Sequence, residues 1–452
     1  MEKSRISTNR QIFKIAIPSA LGFLGMVLFE TINIFWIGKL GSSAVAGVAA
    51  AAFILWTAFS MMRLTTTGCA SLVAQNHGAG NQDRVYEVIR GAFFLSLITA
   101  FVIMAILYFS IDLIFTSMGV DAATRKLASE YFIIYIIFFP VSYLFVLQEN
   151  VFNGYGKTKP STIILLVTLL MNMILDPLMI FGLLGFPELG IRGAAFATIS
   201  CEFVGILLRT GYLLRKKFIA PLSYFLKFST SHFSDLLRIG FPSALTNMVW
   251  SMVFPMLTVI ITKFGMEPLA GLNIGNRFEG IPYFTAMGFS VAIGSLIGQS
   301  LGRGEREEIN RILTRGVILI TIILMPISLA FIFLPSELIG LLNSDPKVIY
   351  HGAKYLRIVG YLEIFLGWEL VIEGGFNGLA NTRPYMNIRI PLTFIRIPLA
   401  YFLAFHLRMG IEGVWWAVSI STFLKGTTLL LAFKTNRTNR KIIGSCGDLS
   451  KS

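Results

Sequence analysis

Two side chains able to hold a cation or a proton, Asn172 and Asp176, lie inside the apolar run 162–182, TIILLVTLLMNMILDPLMIFG. A spacing of four puts them one helical turn apart on one face. A carboxylate among apolar neighbours is costly, so Asp176 reads first as a functional group and second as a residue that locks a kinked helix. Pro177 removes a backbone donor and leaves a carbonyl just upstream as a further oxygen near the acid. Oxygen donors with an acid among them suit H+, or Na+ held by Asp176 and Asn172; no other metal site is expected.

The run is long enough to cross a bilayer at ~1.5 Å per residue. Counted from the outer end of its span, Asp176 lies ~9 Å deep. In the first span, 12–37, Glu30 and Asn33 lie ~12 Å and ~8 Å below the outer end, three residues apart on one face. The sixth span, 190–214, runs inward and carries Thr198 ~12 Å and Glu202 ~18 Å down. Glu30, Asn33, Asn172, Asp176 and Thr198 therefore share one outer layer, with Glu202 deeper. This set is the candidate coupling site.

The whole chain has the composition such spans require. Its 452 residues are 55% hydrophobic and only 14% charged, with mean hydropathy +0.72, whereas soluble proteins carry roughly a quarter charged residues. Twelve apolar spans can be read between residues 12 and 433, which makes an all-α polytopic membrane protein. Lys and Arg gather at the N-terminus, in the even-numbered connections and in the C-terminal tail. By the positive-inside rule both termini are cytoplasmic, so the net charge of +14 reflects topology, and no nucleic acid is expected. Cys69, Cys201 and Cys446 have no paired spacing, hence no disulfide framework and no cysteine metal site. The first apolar run continues into a span, so no cleavable signal is expected.

The two halves repeat. IAIPSAL (15–21) matches RIGFPSAL (238–245), setting Pro18 against Pro242, 224 positions on. The same offset pairs Gln75, Gly78 and Gly80 with Gln299, Gly302 and Gly304, and ENVFNGYGKTKP (149–160) with EGGFNGLANTRP (373–384). GIRGAAFA (190–197) matches GIEGVWWA (410–417) after a small deletion. Six crossings per half make the halves parallel. The expected domains are 1–214 and 236–452, two pseudo-twofold-related six-helix bundles joined by the cytoplasmic linker 215–235, with a cavity between them.

In these motifs the chain resembles the multidrug and toxic compound extrusion (MATE) family over roughly residues 10–435. The matching features are the prolines of spans one and seven, Gln-x-x-Gly-x-Gly closing spans two and eight, FNGYGKTKP with its copy, and N-x-x-x-D-P-L-x-I-F-G in span five. The resemblance implies twelve helices in two bundles, alternating access, and export of small cationic amphipathic compounds in exchange for H+ or Na+. It implies no other cofactor and no enzymatic activity. Location in the cell membrane, lipid contact and a monomeric state are expected with it. Asn172, Asp176 and Thr198 match the family's coupling layer, and Pro18 matches the proline at which span one bends. One position departs: the usual aspartate of D-x-F-x-x-G on span one is Asn33 here, in NIFWIG. Either Glu30, one turn deeper, takes its place, which is the preferred reading, or Asp176 titrates alone.

Other charges in the spans have plainer roles. In the first half Glu30, Glu149, Asp176 and Glu202 face Arg63 alone, an acidic excess that asks for a cation. In the second half Glu279, Glu363, Glu369 and Glu373 face Arg277, Arg357, Arg389, Arg396 and Lys425, so internal ion pairs are expected there. The repeat-equivalent Glu149 and Glu373 suit helix ends, while Arg277 and Glu279 near mid-membrane suit a substrate cleft. A flippase for a lipid-linked head group is the competing function, disfavoured by twelve spans and the acidic first half. A membrane enzyme would need an aspartate-rich or H-E-x-x-H motif, and an ATP-driven pump a G-x-x-x-x-G-K-[ST] loop; neither occurs. The major-facilitator loop motif is also absent, with NHGAGNQDR standing between spans two and three.

Overall fold

The computed structural model describes residues 2–118, 121–435, 439, 442 and 443; Cys446 lies outside them. Among the described residues the regular structure is helical throughout, with no strand. Ten helices among the described residues are long and apolar enough to cross a membrane. They are α1 (Thr8–Gly38), α2 (Ser42–Gly78), α3 (Gln82–Thr116), α5 (Thr158–Phe181), α6 (Ile191–Arg215), α7 (Phe233–Phe264), α8 (Met266–Gly302), α9 (Arg306–Phe333), α11 (Arg383–His406) and α12 (Ile411–Thr435). An eleventh, α4, is the pair Ala122–Ile137 and Phe139–Gly154, bent by 56°. The remaining expected span is α10, Pro346–Gly378, whose 33 residues suffice in length. Its apolar sequence is interrupted by Lys354, Arg357, Glu363, Glu369 and Glu373.

Local chemistry sets the ends and breaks. Asn81 accepts from the Arg84 amide at 3.1 Å to start α3. Asp121 caps α4 through the amides of Ala123 and Thr124, and these contacts, Thr124 foremost, hold its carboxyl below the usual carboxylate range. Asp345 caps α10 through the Lys347 amide at 2.8 Å. Gly182 ends α5 in the left-handed conformation that a residue without Cβ adopts cheaply. Pro140 follows the bend of α4, and α11 carries Pro391 and Pro398 ahead of a π-helical segment, Phe402–His406.

The chain's contacts divide into two compact units that do not follow its halves. One comprises residues 1–20, 78–80 and 245–452; the other comprises 21–77 and 81–244. The borders at Ala20 and Ala244 are themselves 224 positions apart, two residues after Pro18 and Pro242. In the first unit Ile12 and Ala16 join a core with Phe289, Ile293, Val371 and Phe376. There Gly288 lets the backbone of Ala16 approach so closely that a Cβ would lie 2.6 Å from its carbonyl oxygen. In the second unit the backbone of Gly240 lies against the Leu64 carbonyl, leaving no room for a Cβ. Ala16 with Gly288 and Gly240 with Leu64 are the same contact in the two repeats, with the glycine on opposite sides of it. The sequence repeat is thus a repeat of packing.

Candidate functional site

The residues of the outer layer expected from sequence all lie within the second unit, on α1, α5 and α6. Gly22 and Gly25 bring α1 onto α5: a Cβ at Gly22 would lie 3.3 Å from Leu165, and one at Gly25 would lie 2.8 Å from Leu166. Advancing eleven residues along both helices from the contact of Gly22 with Leu165 carries Asn33 to the level of Asp176. Across α5, the backbone of Gly193 lies against the Met179 carbonyl with no room for a Cβ, and Asn172 Nδ2 donates to Thr198 Oγ1 at 3.3 Å. That antiparallel register sets Asp176 opposite Ala194, Ala195 and Ala197, all fully buried. Small residues on α1 and α6 therefore let both helices close onto α5 around the acid.

Asp176 is 0% exposed, and neither carboxylate oxygen has a hydrogen-bond partner among the described residues. The side-chain carbonyl oxygens of Asn172 and Asn33 are likewise buried and unpartnered. Four buried oxygens without donors are the arrangement a cation or proton would complete, since groups in this state otherwise cost ~1–3 kcal/mol each. The Thr198 hydroxyl donates to the Ala194 carbonyl at 3.1 Å, leaving its lone pairs to Asn172. Two buried tyrosines of α4 face the layer. Tyr131 lies within range of Asn33, Asp176 and Glu30, and Tyr135 within range of Thr198 and Glu202. Sequence reasoning missed both, although residues 131 and 135 share one face of α4.

The remaining candidates fall as follows. Glu30 is exposed, unlike Asn33 one turn on. Glu202 is half-buried and accepts from the Ser142 hydroxyl at 2.5 Å. Pro18 stands within a helix that runs uninterrupted from Glu2 to Gly38. In the first unit Tyr355 donates its hydroxyl to Glu279 and lies 3.0 Å from Asn276 Oδ1. Arg277 is exposed and has no ion pair among the described residues.

The charge reading of the first half needs a correction. Arg209 lies inside α6, is 0% exposed, and bonds the Phe145 carbonyl at 2.8 Å and Glu149 at 3.4 Å. Lying toward the polar connector, it is easily grouped with that connector; its place on the face of Thr198 and Glu202 is the signal that separates it. The acidic excess is therefore smaller, and Glu149 is a buried cation's partner. In the second half the expected ion pairs are present. Glu369 meets Arg389 and Lys425, each at 2.8 Å. Glu373 accepts from Tyr385 at 2.7 Å and lies 3.5 Å from Arg389.

The MatE family profile matches residues 18–178 and 242–402, two segments displaced by the same 224 positions as the repeat. The chain belongs to the MatE family. It is accordingly a multi-pass membrane transporter, not an enzyme. It is 28% identical over 443 residues to the probable multidrug resistance protein NorM of Thermotoga maritima, covering 96% of this chain and 94% of that one. It is 24% identical to a protein of Shewanella oneidensis named FAD transporter, covering 92% of each chain. In fold it is similar to the Vibrio cholerae MATE transporter VcmN in the bent form, with TM-score 0.89 and 21% identity over 99% of both chains. No group of three or more His, Cys, Asp and Glu side chains able to hold a metal occurs among the described residues.

Proposed function

We propose that this MatE protein is a secondary exporter of small cationic amphipathic compounds, working by alternating access in the cell membrane with both termini cytoplasmic. Substrate leaves in exchange for H+ or Na+ bound in the layer of Asn33, Asn172, Asp176 and Thr198, with Glu30 and Glu202 adjoining it. The observation that carries this reading is Asp176, an acid fully buried within a span and without a hydrogen-bond donor among the described residues. A structural aspartate at such depth would be bonded to a donor or paired with a cation. The multidrug names of relatives support a broad range of organic substrates.

Dye uptake into everted vesicles, with pH and Na+ gradients imposed separately, tests the proposal. Wild type should respond to at least one gradient, and Asp176→Asn to neither. Gradient-driven uptake by Asp176→Asn vesicles at the wild-type rate would refute the assignment of the site. FAD offered in the same assay covers the substrate named for the Shewanella relative.

A further inference from the structure

We infer that the face of α8 carrying Asn273, Arg277, Gly280 and Phe284 is a substrate subsite, in which Arg277 binds a carboxylate or phosphate and Phe284 a flat ring. This rests on the exporter reading above and extends its substrates to amphipathic molecules that carry an anionic oxygen group.

The four residues are spaced by four, three and four positions and so share one face of α8. Asn273 and Arg277 are exposed, and Gly280 and Phe284 are half-buried. Arg277 has no ion pair among the described residues. Glu279 does not neutralise it: two residues on, it lies on another side of the helix and is engaged by the Tyr355 hydroxyl. Counted from Met266, where α8 begins, Arg277 lies ~16 Å along the helix, about half of a ~30 Å hydrocarbon core. A guanidinium at that depth is costly against lipid. An exposed arginine there faces a water-filled cavity.

The same face shows where that cavity begins. Gly288 lies eleven residues, or about three turns, beyond Arg277 and so on the same face. A Cβ at Gly288 would lie 2.6 Å from the Ala16 carbonyl oxygen and 2.8 Å from the Ala20 Cβ of α1. Ala20 is the last residue of α1 that belongs to this unit. Within the unit, α1 therefore covers the face at Gly288 and leaves it bare at Arg277. Gly280 keeps the bare part open, since a Cβ there would meet only the Phe284 ring, at 3.6 Å. Arginine, gap and ring follow one another along ~10 Å of helix.

The repeat argues that helix packing does not demand this charge. The residues 224 positions earlier, on α2, are Ala49, Phe53, Trp56 and Ser60. The equivalent helix carries neither a cation nor an amide on that face. Structural arginines of this chain are also different in kind: Arg209 and Arg389 are buried and bonded to Glu149 and Glu369. Arg277 is exposed and has no acid partner among the described residues, which leaves its donors to a ligand. The planar guanidinium fork matches two oxygens of a carboxylate or phosphate. Asn273, one turn away, adds an amide donor beside it.

The test uses the full chain in nanodiscs, with empty nanodiscs as background, and two dyes that share one flat xanthene body. Rhodamine 110 carries a carboxylate, and rhodamine 123 is its methyl ester. Binding is read by fluorescence polarisation. Arg277→Gln should weaken rhodamine 110 at least tenfold and leave rhodamine 123 within twofold of wild type. Arg277→Lys should lose less rhodamine 110 than Arg277→Gln does. Gly280→Leu fills the gap and should weaken both dyes. No binding of rhodamine 110 by wild type would overturn the subsite, as would an equal effect of Arg277→Gln on the two dyes. If Arg277→Gln fails to fold, unchanged binding of both dyes by Gly280→Leu overturns it. Binding is measured without any gradient, so it is separate from ion coupling. Wild-type gradient-driven uptake by Asp176→Asn vesicles would refute the coupling reading and not the subsite.

Discussion

Asn172 donates to Thr198 across α5 and α6 at 3.3 Å, while Asp176, one turn along from Asn172, receives no hydrogen bond among the described residues. In the proposed coupling site the pair would form the edge and Asp176 would take the ion or proton. Asp176→Asn keeps side-chain volume and deletes the charge. Folding should survive, with thermal unfolding within a few degrees of wild type, while ion-driven efflux is abolished. An intact melting profile with normal efflux would show that the acid is not the coupling group.

Span one holds two candidates that the structure treats differently. Asn33 is buried beside Tyr131 and Glu30 is exposed one turn away, in range of the same tyrosine. If Glu30 stands in for the aspartate that the family has at Asn33, Glu30→Gln should lower gradient-driven efflux nearly as far as Asp176→Asn. Asn33→Ala should then cost less. Normal efflux in Glu30→Gln with loss in Asn33→Ala would assign the site to Asp176 and Asn33 alone.

Much of this was legible in the sequence because membrane folding leaves long-range marks in it. The 224-residue offset found in Pro18 and Pro242 recurs in the family match, in the unit borders and in the equivalent contacts of Ala16 and Gly240. Asn172, Asp176 and Thr198 could be set at one level because helix rise is constant and spans begin at known faces. Lateral neighbours were not legible. Tyr131 and Tyr135 come from a helix bent by 56°, and no periodicity reports which way its two pieces turn. Arg209 was hidden by its nearness to a basic connector, and only its contacts with Phe145 and Glu149 show that it is buried. The exchange of residues 1–20 and 233–244 between units is also silent in composition, since Gly240 and Gly288 are two glycines among 41.

The first unit stakes stability on Arg389, which is buried between Glu369 and Glu373. Removing one partner from a buried charge network leaves unpaired charge and costs about 3–5 kcal/mol. Arg389→Met should therefore unfold at a markedly lower temperature in detergent, and Lys425→Met should do the same through Glu369. Arg277→Met, at an exposed position without an ion pair among the described residues, should melt as wild type does. Equal melting of Arg389→Met and wild type would mean that the acids are neutral without their cation.

The contact between Gly240 and Leu64 gives the sharpest packing test. A Cβ at Gly240 would overlap the Leu64 carbonyl, a backbone atom that cannot swing aside as a side-chain end can. The helices must part, and inserting volume at a close contact costs about 1–3 kcal/mol. Ala favours helix over Gly by about 1 kcal/mol, which offsets only part of that cost. Gly211 on α6 meets nothing within 4 Å, so Gly211→Ala should be neutral or slightly stabilising. Gly240→Ala should lower the melting temperature and reduce transport, because it displaces α7 within two residues of Pro242. The repeat supplies its own control: Gly288→Ala meets the Ala16 carbonyl at 2.6 Å in the equivalent contact of the other unit, and should fall on the same side. Gly240→Ala and Gly211→Ala melting alike would show that α7 approaches α2 less closely than the backbone contact requires.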